Sequence, residues 1–391
     1  MNPLNSFAQL AFDSNCILSL IYWQIRLHER HPNISSLLSP YVSRDLAVFL
    51  YEAFLLLERD SENSKDEDSL LEFREDIRIM RNNIHQLVTR DKKFTMESER
   101  IYTSTEQLQS IFKTNQGNIL SLFAHDIGLT KASTPEGELL IATTLFPWFL
   151  LDRTSMVDET GPIGSRIRDH SFTTKEIVKA FTDVLNIDTG NAFEVSLNLP
   201  LAEFDESMIY HEDIKLAQIQ RRTVFPKELI YSLMLILDEI GEFLFFSNYI
   251  VNKNAALQDD CTLFFLTKAL AVRYDEAFDT LWRFRNKKDY RSDATELLNS
   301  QLAEHILTPQ KKSLRDFGKR LRNTIHYNNT SWNPAINGNS VDHVPAFLEV
   351  VGAQKWPDDY LSKYNEMEKE LQKLHSYLSG LFNIKGARVD M

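Results

Sequence analysis

The segment Leu321–Tyr327 carries three residue types that together could cleave a phosphodiester. Its sequence, LRNTIHY, places Arg322 and His326 four positions apart, with Asn323 next to the arginine. On a helix this spacing puts the guanidinium and the imidazole on one face, one turn apart, so both could meet the same phosphate. The imidazole could move a proton at a ribose hydroxyl while the guanidinium stabilises charge on the phosphoryl oxygens. This chemistry would cleave RNA without a metal ion.

A similar segment lies near the start of the chain. Aligning residues 74–85 with residues 315–326 matches Arg81, Asn82 and His85 with the three residues above. The repeated residues are those with a chemical use.

The LRNTIHY segment resembles the signature of the HEPN superfamily, all-α domains found in bacterial toxin and anti-phage proteins. Their ribonuclease members carry an arginine, usually followed by a polar residue, and then a histidine on a late helix. The resemblance implies a metal-independent endoribonuclease in which His326 is the general acid and base, Arg322 stabilises the transition state and Asn323 orients the phosphate or the histidine. Ribonucleases of this superfamily typically form their site between two bundles, each with one motif. The resemblance therefore implies a pseudo-symmetric site built from His85 and His326, with Arg81 and His85 as the partner motif. A weaker form of the prediction keeps only the C-terminal motif and completes the site in a homodimer. No cofactor is implied, and the expected products carry 2′,3′-cyclic phosphate and 5′-hydroxyl ends.

The charge balance reverses around the C-terminal motif. The whole chain has a net charge of −12, whereas residues 280–330 carry a net charge of +6. Such a local excess of cations attracts phosphates even when the rest of the protein repels them. The alternative is a solvated helix face whose acidic complement lies on another helix. The predicted RNA-binding residues are Arg283, Arg285, Lys287, Lys288, Lys319 and Arg320.

Aromatic and basic side chains alternate in Leu281–Arg285. Trp282 and Phe284 are interleaved with Arg283 and Arg285. This pattern could stack RNA bases over a basic track, or it could reflect helix packing in which the arginine stems cover apolar surface.

Two other functions fit the same residues. In the first, the chain is a non-catalytic helical interaction or regulatory module, the Arg/His motifs lie in interfaces, and the basic surface binds an acidic partner, such as a cognate regulatory protein. In the second, His125 and Asp126 resemble the motif of HD-type metal-dependent phosphohydrolases, with His85 and either Asp152 or Asp158 completing the ligands. Otherwise His125 and Asp126 lie at a helix end, and the following Gly128 is its C-cap. The leading prediction contains no metal ligand.

Hydrophobic periodicity predicts an all-α fold of two helical bundles, with room for one short strand pair in the middle. The domain prediction is an N-terminal bundle at residues 1–130, an irregular connection at 131–200 and a C-terminal HEPN-like bundle at 201–391. The alternating stretch 193–199 predicts the strand. The predicted helices cover residues 7–30, 46–57, 70–88, 105–123, 201–221, 227–250, 258–285, 309–327 and 358–381.

Composition indicates a soluble cytoplasmic protein. The two cysteines, Cys16 and Cys261, are far apart and belong to no CxxC motif, which argues against a disulfide framework or a thiolate zinc site. The N-terminus lacks the basic and apolar pattern of a secretory signal. The longest apolar run, Leu139–Leu151, is buried in the prediction but too short to span a bilayer, so no membrane partner is expected.

Overall fold

The computed structural model describes residues 127–135, 137, 139–143, 205–222, 225–250, 260–286, 309–323, 349 and 354–384, together with individual positions between 17 and 99. This part of the chain is mostly helical and contains one small antiparallel sheet. Most of its buried apolar side chains form one hydrophobic core that extends from Trp23 and Leu27 to Ile384. None of the described helices has the length and hydropathy that a bilayer span requires.

The sheet has three strands in the order β2–β1–β3. The strands are β1, Ile127–Ser133, β2, Leu139–Ala142, and β3, Tyr210–Lys215. A tight turn joins β1 to β2, in which Gly137 N donates to Thr134 O at 3.0 Å and Gly137 has a φ of 89°. That dihedral favours glycine because other residues are strained there.

Gly128 lies at an irregularity in the pairing of β1 with β3, between Ile127 and Leu129. A Cβ at Gly128 would lie 2.7 Å from Ile219 Cδ1 and 3.0 Å from Leu216 Cα. Glycine is therefore needed for the close approach of α1, Leu216–Arg222, to the sheet. The prediction of Gly128 as a helix C-cap is wrong, because the residue belongs to a strand.

The central element is α2, Lys227–Phe245, followed by a π-helical turn at Phe246–Ile250. Every residue from Leu229 to Phe245 is buried, as expected for a helix surrounded by other elements. It packs against β2 and against the C-terminal helix. The N-terminal part of the chain reaches this region through Trp23, whose ring meets Phe246 edge-on with centroids 4.6 Å apart.

Three further helices complete the described core. They are α3, Asp260–Asn286, α4, Pro309–Asn323, and α5, Asp358–Leu381. α3 packs against both α4 and α5. α5 ends in a Schellman motif, in which Ile384 N donates to Ser379 O at 2.8 Å and Asn383 N donates to Gly380 O at 3.0 Å. Asn383 has the left-handed φ of 54° that this motif requires.

The helix predictions for 227–250, 258–285 and 358–381 are confirmed within a few residues, and that for 309–327 is confirmed as far as Asn323. The prediction of one helix over 201–221 is wrong, because β3 occupies its middle and only α1 is helical after it. The described part of the chain is mostly helical, as predicted, and its small sheet has three strands where a single strand pair was expected. Leu140, Ile141 and Ala142 are buried as expected. The proposed strand at 193–199 lies outside the described residues, and the two-bundle division stays a prediction.

Candidate functional site

The candidate site lies where α3 and α4 meet. Arg315, early in α4, contacts Asp279 late in α3, whereas Arg322, at the end of α4, contacts Asp275 one turn earlier in α3. The two helices therefore run in opposite directions at this contact. Gly318 lies between the two arginines, and a Cβ there would be 3.0 Å from Ala271 O. A glycine at this position allows the helix backbones to come close.

The central contact of the site joins Arg322 to Asp275. Arg322 Nη1 lies 2.6 Å from Asp275 Oδ2, and the side chains are 25% and 2% exposed. Within the described part of the chain, no donor reaches Oδ2 with the angle of a hydrogen bond, so the attraction is electrostatic. Burial raises the pKa of Asp275 from 3.8 to about 6, although the positive charge of Arg322 acts to lower it. Asp275 is thus mainly ionised at pH 7, and it holds the guanidinium of the predicted catalytic arginine.

A second ion pair lies beside the first. Arg315 Nη2 donates a hydrogen bond to Asp279 Oδ1. The Arg315 guanidinium carbon also lies 5.8 Å from the ring centroid of Trp282. Trp282 is exposed, whereas Phe284 is buried in the core. Of the two aromatic rings in Leu281–Arg285, one therefore lies at the surface and the other in the interior.

Arg283, predicted to bind RNA, is partly buried in the same cluster. Its Nε donates to Asp279 O at 3.4 Å and its Nη2 donates to Thr280 Oγ1 at 3.3 Å, both on its own helix. Burial lowers the pKa of Arg283, the charge of Asp279 opposes this effect, and the nearby charge of Arg322 adds to it. The structure therefore brings together two residues, Arg283 and Arg322, that the sequence singled out for different roles.

Basic side chains follow one face of α4, which has six Lys or Arg residues against a single Asp. We use the term basic stripe for the four at spacings of three and four: Lys312, Arg315, Lys319 and Arg322. Lys312 and Lys319 are exposed, and the two arginines are partly buried against α3. At 1.5 Å per residue the stripe is about 15 Å long.

The other predicted residues of this region are only partly within the described chain. Asn323 is the last residue of α4 and is partly buried, and Arg320 is also partly buried. His326 lies outside the described residues. So do Lys287, Lys288 and the side chain of Arg285.

The upstream motif has a different environment. The Arg81 guanidinium carbon lies 5.4 Å from the ring centroid of Tyr51, and among the described residues no hydrogen-bond partner reaches its buried Nε. Asn82 is exposed and Asn83 is buried. His85 lies outside the described residues, so the predicted pairing of His85 with His326 stays a prediction.

Nothing described corresponds to a metal centre. In the ranges that the structure covers, no three His, Cys, Asp or Glu side chains are grouped so as to hold a metal ion. The proposed HD-type ligands, His125 and Asp126 with His85 and either Asp152 or Asp158, all lie outside those ranges.

Asp275 and Asp279 are the site residues that sequence reasoning missed. They are four positions apart on α3 and so share the face that meets the basic stripe. A search for paired acids facing the paired bases of a neighbouring helix would have found them.

No protein-family model matches the chain, and no curated protein and no solved structure matches it either.

Proposed function

We propose that the protein is a HEPN-like, metal-independent endoribonuclease of a toxin or phage-defence system. The observation that carries the proposal is the position of Arg322, which lies at the end of the basic stripe and is held by a buried carboxylate. A guanidinium that is oriented in advance stabilises charge on a phosphoryl group without a reorganisation cost. His326, the proposed acid and base, lies four positions after it along the chain.

In the proposed reaction, His326 accepts the proton of a ribose 2′-hydroxyl, and the 2′-oxygen forms a bond to phosphorus. The bond from phosphorus to the 5′-oxygen then breaks, and the leaving oxygen receives the proton from the imidazolium of His326. Arg322 stabilises the negative charge that develops on the phosphoryl oxygens, and Asn323 contributes a hydrogen bond to the phosphate or to the histidine. Asp275 positions Arg322 and touches no substrate atom. Arg81, Asn82 and His85 would supply the second motif.

Cleavage of an end-labelled single-stranded RNA by the full chain tests the proposal. We expect His326→Ala to abolish cleavage, Arg322→Ala to slow it by about 100-fold, as for loss of one transition-state donor, and EDTA to have no effect. Lys369→Ala is the matched control, because Lys369 is an exposed cation on a different helix, α5. Unchanged cleavage by His326→Ala would exclude the proposed mechanism, and complete inhibition by EDTA would favour the HD-type alternative. His85→Ala should be as inactive as His326→Ala if both motifs form one site.

A specific observation also favours the non-catalytic interaction module. Both motif arginines already have partners within the protein, since Arg322 pairs with Asp275 and Arg81 lies over Tyr51. This is the arrangement expected when such residues stabilise helix packing. In that case Arg322→Ala would lower the free energy of unfolding, as it also should in a ribonuclease, but the wild-type protein would leave RNA intact.

A further inference from the structure

Trp282 is an exposed aromatic side chain beside the basic stripe. It is 37% exposed, and Met96, Met208 and Tyr210 are the other large apolar side chains that are exposed in the described part of the chain. Of these four, Trp282 is the one that lies over a cation of the stripe, Arg315. Part of the indole is therefore presented to solvent next to the stripe.

The surroundings of Trp282 hold it in place. The Arg315 guanidinium carbon lies 5.8 Å from its ring centroid, and the same guanidinium pairs with Asp279, which lies one turn before Trp282 on α3. The neighbouring Phe284 is buried and anchors this end of α3 in the core. The indole is therefore attached to a packed helix and positioned by an ion pair, which lowers the entropy cost of binding to it.

The charge near Trp282 attracts a polyanion. Where α3 and α4 meet, the four cations of the stripe and Arg283 outnumber Asp275, Asp279 and Asp316, and the carboxylates of Glu366 and Glu370 on α5 also act on this region. Lys312 and Lys319 are exposed at the surface of α4. A basic track about 15 Å long with an aromatic ring beside it is the arrangement that binds single-stranded nucleic acid, with phosphates on the cations and a base on the ring.

We propose that Trp282 and the basic stripe bind single-stranded RNA, with one unpaired base stacked on the Trp282 indole. This inference rests on the proposed ribonuclease function and deepens it, because it names the substrate as RNA with unstacked bases. In duplex RNA the bases are stacked on one another, and their faces are closed to the indole. Phosphates bound by Lys319 and Arg315 would lead the chain toward Arg322.

Binding of a 2′-O-methylated RNA strand tests the inference separately from cleavage, because this strand lacks the attacking hydroxyl. We expect Trp282→Leu to weaken binding about tenfold or more, as for the loss of one stacked base, and Trp282→Phe to retain most of the affinity. Tyr210→Leu is the matched control, since Tyr210 is also exposed but lies on β3. Lys319→Ala should reduce the slope of log affinity against log salt by about one.

An abasic version of the same strand identifies the contact. It should bind wild type and Trp282→Leu equally, and a duplex of the same sequence should bind wild type more weakly than the single strand. Equal binding of the base-containing strand by both proteins would overturn the inference, as would stronger binding of an acidic peptide than of RNA. Binding that depends on Trp282 without any cleavage would leave the inference standing and remove the catalytic proposal. Cleavage together with binding that does not depend on Trp282 would leave the catalytic proposal standing and overturn the inference.

Discussion

Arg322 Nη1 lies 2.6 Å from Asp275 Oδ2 although the carboxylate is only 2% exposed. A buried charge without a partner is costly, so this pair makes the end of α4 depend on one position in α3. The neighbouring pair, Arg315 with Asp279, is more exposed on both sides, at 29% and 38%. The two ion pairs join the same helices and differ mainly in burial.

Double-mutant cycles should separate the two pairs. Because Asp275 is buried, we expect a coupling free energy of about 2 kcal/mol or more for Asp275→Asn with Arg322→Gln, measured by urea unfolding at pH 7. For Asp279→Asn with Arg315→Gln we expect less than about 1 kcal/mol, since water screens that pair. Equal couplings would show that burial does not decide the strength of these contacts.

The pH dependence of stability should report the raised pKa of Asp275. The folded-state pKa of about 6 exceeds the ordinary value of 3.8, so the folded protein binds the proton more tightly than the unfolded chain does. The free energy of unfolding of wild type should therefore fall, relative to Asp275→Asn, as the pH rises from about 4 to about 6. The expected change is on the order of 2 kcal/mol, and a pH-independent difference would contradict it.

His375 should give a dependence of opposite sign over a similar pH range. The residue is buried on α5, no partner among the described residues reaches its Nε2, and burial lowers its pKa from 6.5 to about 4. The unfolded chain then binds the proton more tightly, so stability is present above pH 6.5 and is lost as the pH falls toward 4. Relative to His375→Gln, wild type should lose on the order of 3 kcal/mol between pH 7 and pH 4. A constant difference between the two proteins across that range would show that His375 titrates normally.

Two glycine substitutions test the close approach of α3 and α4. Gly318→Ala should destabilise the protein by about 1–3 kcal/mol, because its Cβ would lie 3.0 Å from Ala271 O and force the helices apart. Gly380→Ala on α5 is the control. Nothing lies within 4 Å of its added Cβ, so it should be neutral or stabilising by up to about 1 kcal/mol. Thermal unfolding of both variants measures the contrast, and similar stabilities would contradict the close approach.

Local sequence patterns were sufficient for the long helices. The 3.6-residue period predicted α2, α3 and α5 within a few residues, because helical hydrogen bonds join residues four apart, and Pro226 indicated the start of α2. The sheet was not predictable in this way. Lys131 of β1 and Glu212 of β3 are 81 positions apart, and β3 is short and largely polar, so nothing local indicates its pairing.

The candidate site likewise combines features set by local sequence with features set by long-range contacts. The sequence by itself determined that α4 is basic, that Arg322 lies on its stripe and that Trp282 is next to arginines, since each of these follows from spacing on one helix. Only the tertiary structure decided that Asp275 holds Arg322, that Arg315 meets Trp282 and that Phe284 is buried. These contacts depend on how two antiparallel helices are aligned, and the close packing at Gly318 sets that alignment.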